Sequence, residues 1–236
     1  MSVGYGLVFV VLAAGAATVA VAAPWPATLA GGASAVSFVI VAVAYFGAGP
    51  RLLGKRADGR RFVWAWVIHG PYIALTALSY RLAVWGAREG AFVQIAPNVF
   101  LGRRLTEREA RRAGGWPAVL DLAGELTDPP FLRAAPHYRS LPLLDATAPT
   151  QDLLRESVGW VKDRAAHGPV YVHCALGHGR SALVVAAYLL ATGTATDAKS
   201  AVTHVRGLRP AVRLNRAQRA ALDRFAGGRA TSAPSA

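Results

Sequence analysis

The 236-residue chain carries 26 lysine and arginine residues against 13 acids, a formal net charge of +13. That length allows one ordinary catalytic domain and a smaller accessory region, and the basic balance selects for anionic partners: phosphorylated substrates, acidic lipid headgroups or nucleic acid. Cys174 is the only cysteine, which excludes an intrachain disulfide and a cysteine-cluster metal site.

The charge is unevenly spread, for no Asp, Glu, Lys or Arg precedes Arg51. Val3 to Ala23 and Ala27 to Gly47 are apolar or small-residue stretches of 21 residues each, and about 20 suffice to cross a bilayer core. Pro24-Trp25-Pro26 reads as the turn of a helical hairpin. A cleavable signal peptide fits less well, because no basic segment precedes the first stretch and a second follows at once. Arg51, Lys55, Arg56, Arg60 and Arg61 come next, against the single acid Asp58. The positive-inside rule puts this segment in the cytoplasm, at a bacterial-type inner or plasma membrane, with membrane lipids as partners. Phe62 to Trp85 is apolar and aromatic but holds His69, Gly70-Pro71 and Arg81. It is open between a third span and an interfacial segment. Residues 1–90 are thus expected to form the membrane region.

Past Pro97, short apolar runs alternate with helical stretches, the pattern of an α/β domain. Strands are expected at Asn98–Leu101, Ala118–Leu122, Leu141–Leu144 and Val170–His173. Thr106-Glu107-Arg108-Glu109 reads as a capping box opening a helix that ends near Gly114-Gly115. Thr150 caps a helix running to about His167. Ser181 to Ala191 is apolar on nearly every face, so that helix is central and buried. Helices from about Asp197 and Arg216 complete a domain expected over 95–226, with 227–236 as a disordered tail.

The chemistry concentrates in His173-Cys174-Ala175-Leu176-Gly177-His178-Gly179-Arg180-Ser181, between a β run and an apolar helix. A strand–loop–helix of this kind turns backbone N–H groups and the positive end of the helix dipole inward, making an anion cradle. Gly177 and Gly179 permit the tight curl. The same field favours a cysteine thiolate, and the Arg180 fork returns to the cradle to bind phosphate oxygens. A thiolate displaces an alkoxide only if an acid protonates the leaving oxygen. Asp145, 29 residues before Cys174, lies between a strand and a helix on a separate loop. Asp121 is the rival acid, while Asp128 and Asp152 read as surface residues.

Cys174 to Ser181 resembles the Cys-x5-Arg-Ser/Thr signature of the protein tyrosine phosphatase superfamily. From about Ile95 to Phe225 the chain is similar to the dual-specificity branch, in Asn98-Val99-Phe100-Leu101-Gly102 at the start and Leu208-Arg209-Pro210 with Asn215 to Phe225 at the end. The segment from Asp145 to Thr150 looks most like the subgroup that hydrolyses phosphatidylglycerophosphate. Ala175 and Leu176 depart from it, being apolar where lipid-type relatives often carry a lysine.

The resemblance implies a sheet flanked by helices and hydrolysis of phosphate monoesters through a phosphocysteine, on phosphoprotein or phospholipid. Cys174 would be the nucleophile, Arg180 the phosphate clamp and Asp145 the general acid. Loop positions 175–179 would bind phosphate. His173 would support the thiolate through backbone bonding, and Ser181 would donate to the sulfur. His178 reads as solvent-exposed. The resemblance implies no cofactor and no metal. The arginines from Arg206 to Arg229 read as a solvated helix surface rather than a nucleic-acid site, since no aromatic residues interleave them. A rhodanese-like sulfurtransferase also uses a cysteine in an anion loop, but leaves Arg180-Ser181 and Asp145 without a reason to be there. A phospho-binding pseudophosphatase or a membrane scaffold are the remaining alternatives.

Overall fold

The computed structural model describes residues 2–230. Helices α1 (Val3–Ala22) and α2 (Ala27–Val43) form the expected hairpin, and α2 runs on through a π turn at Ala44–Ala48. With that turn included, the two helices have 20 and 22 residues, long and apolar enough to cross a membrane. They pack closely at Gly31, where an added Cβ would sit 2.6 Å from the backbone of Ala20; small residues allow such approach where apolar surroundings provide no hydrophobic drive. The third apolar segment is broken at His69 into α3 (Val63–Ile68) and α4 (Gly70–Trp85). At ~1.5 Å per residue α4 is about 24 Å long, short of a ~30 Å hydrocarbon core.

The remainder is a five-stranded mixed sheet flanked by helices, with strand order β1-β2-β5-β3-β4. The strands are β1 (Phe92–Ala96), β2 (Val99–Arg103), β3 (Ala118–Ala123), β4 (His137–Leu143) and β5 (Val170–Cys174). Only β1 and β2 pair antiparallel; the other pairings are parallel. β3 and β5 are buried at every position, as inner strands of a parallel sheet covered on both faces must be. The helices are α5 (Glu107–Arg112), α6 (Pro130–Arg133), α7 (Gln151–Ala165), α8 (Arg180–Ala191), α9 (Ala198–Leu208) and α10 (Arg216–Ala230). The Thr106–Glu109 capping box and the Thr150 cap are both present. Helix α8 is buried from Arg180 through Leu190 and forms the centre of the main core.

Two expectations change, and the basic segment proves partly buried. The sheet begins at Phe92, ahead of the boundary placed at 95, because β1 exists by pairing with β2. Residues 227–230, assigned to a disordered tail, continue α10, since extending a formed helix is far easier than starting one; the remaining tail lies outside the described residues. Of the basic segment, Lys55 and Arg61 do not face solvent but are buried against the sheet. Lys55 Nζ lies 2.5 Å from Asp121 Oδ2 and donates to the carbonyls of Ala123 and Leu126. Arg61 donates to the carbonyls of Leu53 and Gly124.

Asp121 is fully buried and also accepts from Tyr138 and Ser140, so it serves the fold. Lys55→Met leaves that carboxylate buried without its cation, a change that costs about 3–5 kcal/mol. The expected outcome is a lower urea midpoint, followed by tryptophan fluorescence. Part of the loss should return when Asp121→Leu is added, because the double variant buries no unpaired charge.

Candidate active site

The parallel arrangement of β3, β4 and β5 delivers three side chains to one edge of the sheet. Glu125 follows β3, Asp145 follows β4, and Cys174 ends β5. The carboxyl ends of parallel strands are where such sheets bind ligands. The loop after Cys174 turns directly into α8, whose first residue is Arg180. Gly177 adopts φ +77, and an added Cβ there would lie 2.5 Å from the backbone of Gly102; only glycine fits. Gly179 has φ −119, so its freedom is not used in the same way: an added Cβ there would meet the Gln218 side chain at 3.1 Å.

Cys174 Sγ is buried and accepts from Gly177 N and Ser181 Oγ, each at 3.3 Å. Burial alone would push the thiol up. The Arg180 guanidinium, the Ser181 hydroxyl and N–H, and the Gly177 N–H outweigh it, so the thiol lies below its ordinary value. Arg180 is held by a bidentate pair with Glu125 at 2.6 and 2.7 Å and by the Leu143 carbonyl at 2.8 Å. Its Nη2 also lies 3.0 Å from Asp145 Oδ1. Arg180 Nε has no protein partner among the described residues, which leaves a buried donor for a ligand. Glu125 is buried, yet the Arg180 charge offsets that burial and keeps its carboxyl below the usual range.

His173 is fully buried. Its Nδ1 lies 3.3 Å from the Cys174 carbonyl, the backbone contact expected of it, and its Nε2 lies 3.0 Å from Asp128 Oδ2. Burial would lower the imidazole, but the Asp128 charge reverses this and the net shift is upward. Asp128 is therefore not the surface residue the sequence pointed to: it is buried, accepts from Tyr138, and has its carboxyl held down by His173. Asp152 is exposed as expected. Asp121, Asp128 and His173 bring their ligand atoms within 4.8 Å of one another, and Lys55 supplies the positive charge this cluster attracts.

A cavity of about 240 Å³ opens over the loop, with Cys174, Ala175, Leu176, Arg180 and Asp145 in its walls. The Asp145 side chain is 54% exposed. Ala146 beside it has φ +55, which a non-glycine residue rarely adopts. Its carbonyl accepts from Asn215 Nδ2 at 2.7 Å, and Gln218 Nε2 donates to Thr147 O at 3.1 Å. Asn215 and Gln218 thus pin the loop that presents Asp145. His178 lines the cavity too but is half-buried, with Nε2 2.9 Å from Glu89 Oε2. Arg209 is buried and donates to the carbonyls of Leu176 and Gly177, which holds the loop from the side away from the cavity lining. Glu125, Glu89, Asn215 and Gln218 were missed by the sequence reading. The one local signal was Glu125, an acid just past the end of a buried strand.

Because Cys174 is the only cysteine, its alkylation by iodoacetamide reports the thiolate without background. Ser181→Ala removes a donor that favours the thiolate, so the alkylation midpoint should move to higher pH by about one unit, the scale of a charge-assisted hydrogen bond. An unmoved midpoint would show that Ser181 plays no part in setting the thiol.

No curated protein matches the chain. Residues 118–226 match the family described as "Dual specificity phosphatase, catalytic domain". Among solved structures the fold is similar to that of Tk-PTP in its active form, with 28% identity and a TM-score of 0.53 over 58% of this chain and 97% of that one. It is similar to PTPMT1 in complex with PI(5)P at 22% identity and a TM-score of 0.54, over 61% of this chain and 100% of that one. It also resembles human DUSP28, at 22% identity and a TM-score of 0.50, over 60% of this chain and 97% of that one. The strand-to-helix loop, the sheet that carries it and the matched residues agree: residues 118–226 match the dual specificity phosphatase catalytic domain, and two apolar helices precede them.

Proposed function

We propose that the protein is a membrane-anchored hydrolase that cleaves phosphate monoesters through a phosphocysteine, with Cys174, Arg180 and Asp145 as the reacting set. The observation that carries this reading is the meeting of a stabilised thiol, a buried arginine and an exposed carboxylic acid around one cavity. The Cys174 thiolate attacks phosphorus in line, forming a P–S bond as the bond to the ester oxygen breaks. Asp145 gives its proton to that oxygen, and the alcohol departs. Arg180 and the loop N–H groups carry the charge on the phosphoryl oxygens, while Glu125 keeps the guanidinium in one orientation. Water then attacks the phosphocysteine, Asp145 takes its proton, and the P–S bond breaks to release inorganic phosphate and the thiolate.

The substrate class we favour is a phospholipid monoester such as phosphatidylglycerophosphate. The membrane-length helices support it, as does the fold shared with PTPMT1, a structure solved with PI(5)P. We place the hairpin in a bacterial-type inner or plasma membrane and read α3 and α4 as interfacial, because neither is long enough to span alone. Arg51, Arg56 and Arg60 remain exposed beside the hairpin and favour the cytoplasmic side for the catalytic domain, where the thiol stays reduced.

Cys174→Ser should abolish hydrolysis of an aryl phosphate, and vanadate should inhibit the unaltered protein; activity retained by the variant would refute the nucleophile and leave a scaffold or binding role. Asp145→Asn should slow an alkyl phosphate by roughly 10²–10⁴-fold and an activated aryl phosphate less, because a good leaving group needs little protonation. The limb on which the rate falls as the acid loses its proton should flatten in this variant and persist in Asp121→Asn. For topology, a cytoplasm-dependent reporter fused after Phe225 should be active. Activity only of an exported reporter would make 62–85 a third span.

A further inference from the structure

A second cleft adjoins the catalytic cavity and shares three residues with it, Asp145, Ala175 and Leu176. Its volume is about 340 Å³. The opposite wall comes from the N-terminal region: Tyr5 and Phe9 of α1, Tyr45 of the π turn, and Tyr72 and Tyr80 of α4. This wall is already assembled. Tyr45 stacks on Tyr5 at 5.6 Å and on Phe9 at 5.7 Å, and Tyr72 meets Phe9 edge-on at 5.5 Å. Elsewhere on these helices apolar side chains stand open, with Leu7 55%, Val8 54%, Leu78 56% and Leu82 57% exposed. The cleft therefore lies between a phosphate cradle and a surface suited to acyl chains.

Its position is specific in one further way. The shared residue Asp145 is the group from which, on the reading proposed above, the leaving oxygen takes its proton. Whatever the phosphate is attached to must pass Asp145, and the space beyond Asp145 is this cleft. Ala175 and Leu176, the apolar departures within the phosphate loop, line the same space. An apolar loop flank is poorly suited to a charged headgroup and well suited to hydrocarbon.

We propose that this aromatic cleft, built jointly by the membrane helices and the catalytic loops, holds the glycerol backbone and first acyl carbons of a phospholipid monoester whose phosphate occupies the Cys174 cradle. The N-terminal region then forms part of the substrate site as well as the anchor. The inference rests on the phosphatase reading and goes beyond it in assigning Tyr5, Tyr45, Tyr72 and Tyr80 to recognition.

The test uses the full-length protein in mixed micelles with diacyl phosphatidylglycerophosphate, the same compound deacylated, a phosphotyrosyl peptide and para-nitrophenyl phosphate. The unaltered protein should show higher kcat/KM for the diacyl compound than for its deacylated counterpart. Ala83→Trp and Thr76→Phe fill the cleft from exposed and half-exposed positions of α4, which guards against misfolding. Each should cut the diacyl-to-deacylated ratio by about tenfold or more, the scale on which pocket space for one or two methylenes acts. An unaltered protein with no acyl preference, a preference for the peptide, or a ratio unmoved in both filled variants overturns the cleft while Cys174-dependent turnover of para-nitrophenyl phosphate upholds the phosphatase. Absence of any Cys174-dependent turnover overturns both.

Discussion

A lysine with no solvent around it joins the two halves of this protein. Lys55 leaves the turn after the hairpin and buries its ammonium against Asp121, the carbonyl of Ala123 at the end of β3 and that of Leu126 just beyond it. Burying an ion is costly unless it is well paired, so Lys55 and Asp121 each require the other, and the hairpin's exit is held against the sheet. Arg61 reinforces the attachment through the Gly124 carbonyl. Glu125 is the next residue, and it fixes the fork of Arg180. A chain of direct contacts thus runs from the basic turn to the arginine of the cradle. Two of the turn's cations act here as structural plugs.

The cradle holds its charges in balance. Arg180 faces two carboxylates, one buried and one half open. Glu125 takes both Nη groups of the guanidinium, and the buried Nε is left without a partner among the described residues. Asp145 is at the border, near enough to the arginine to be oriented and exposed enough to exchange protons with water. The unusual backbone at Ala146, pinned by Asn215, aims it there. His173 and Asp128 form a separate pair behind the thiol, so the loop's carbonyl side is supported without drawing on Arg180.

The legible parts of the sequence were those whose physics is local. Cys174 to Ser181 carries its meaning in spacing alone, as do the caps at Thr106 and Thr150, and α8 announces itself by being apolar on every face. The parts that escaped depend on partners distant along the chain. Glu125 and Arg180 are 55 residues apart, and nothing near Asp128 says that an imidazole 45 positions later will enclose it. Lys55 reads in the sequence as one cation of a basic run, because the carboxylate that buries it, Asp121, lies 66 positions away. Strand β1 is five residues long and has too short an alternation to be told from a linker without β2 beside it. The break at His69 was visible as Gly70-Pro71, yet hydropathy over the whole segment masked how short each half would be.

Six residues, 86–91, separate the end of α4 from the start of β1, and fully extended they reach about 20 Å. Glu89 within them is already tied to His178 and to the Ala211 N–H, so the usable slack is smaller still. With α1 and α2 seated in a bilayer as proposed, the cradle has no orbit in which to sample bulk solution. For the lipid substrate proposed above, encounter becomes a search in two dimensions, and the rate answers to the mole fraction of phosphorylated lipid in the membrane around the protein rather than to its concentration in the suspension. Diluting the surface with neutral lipid then slows the enzyme even when the total amount of substrate is unchanged.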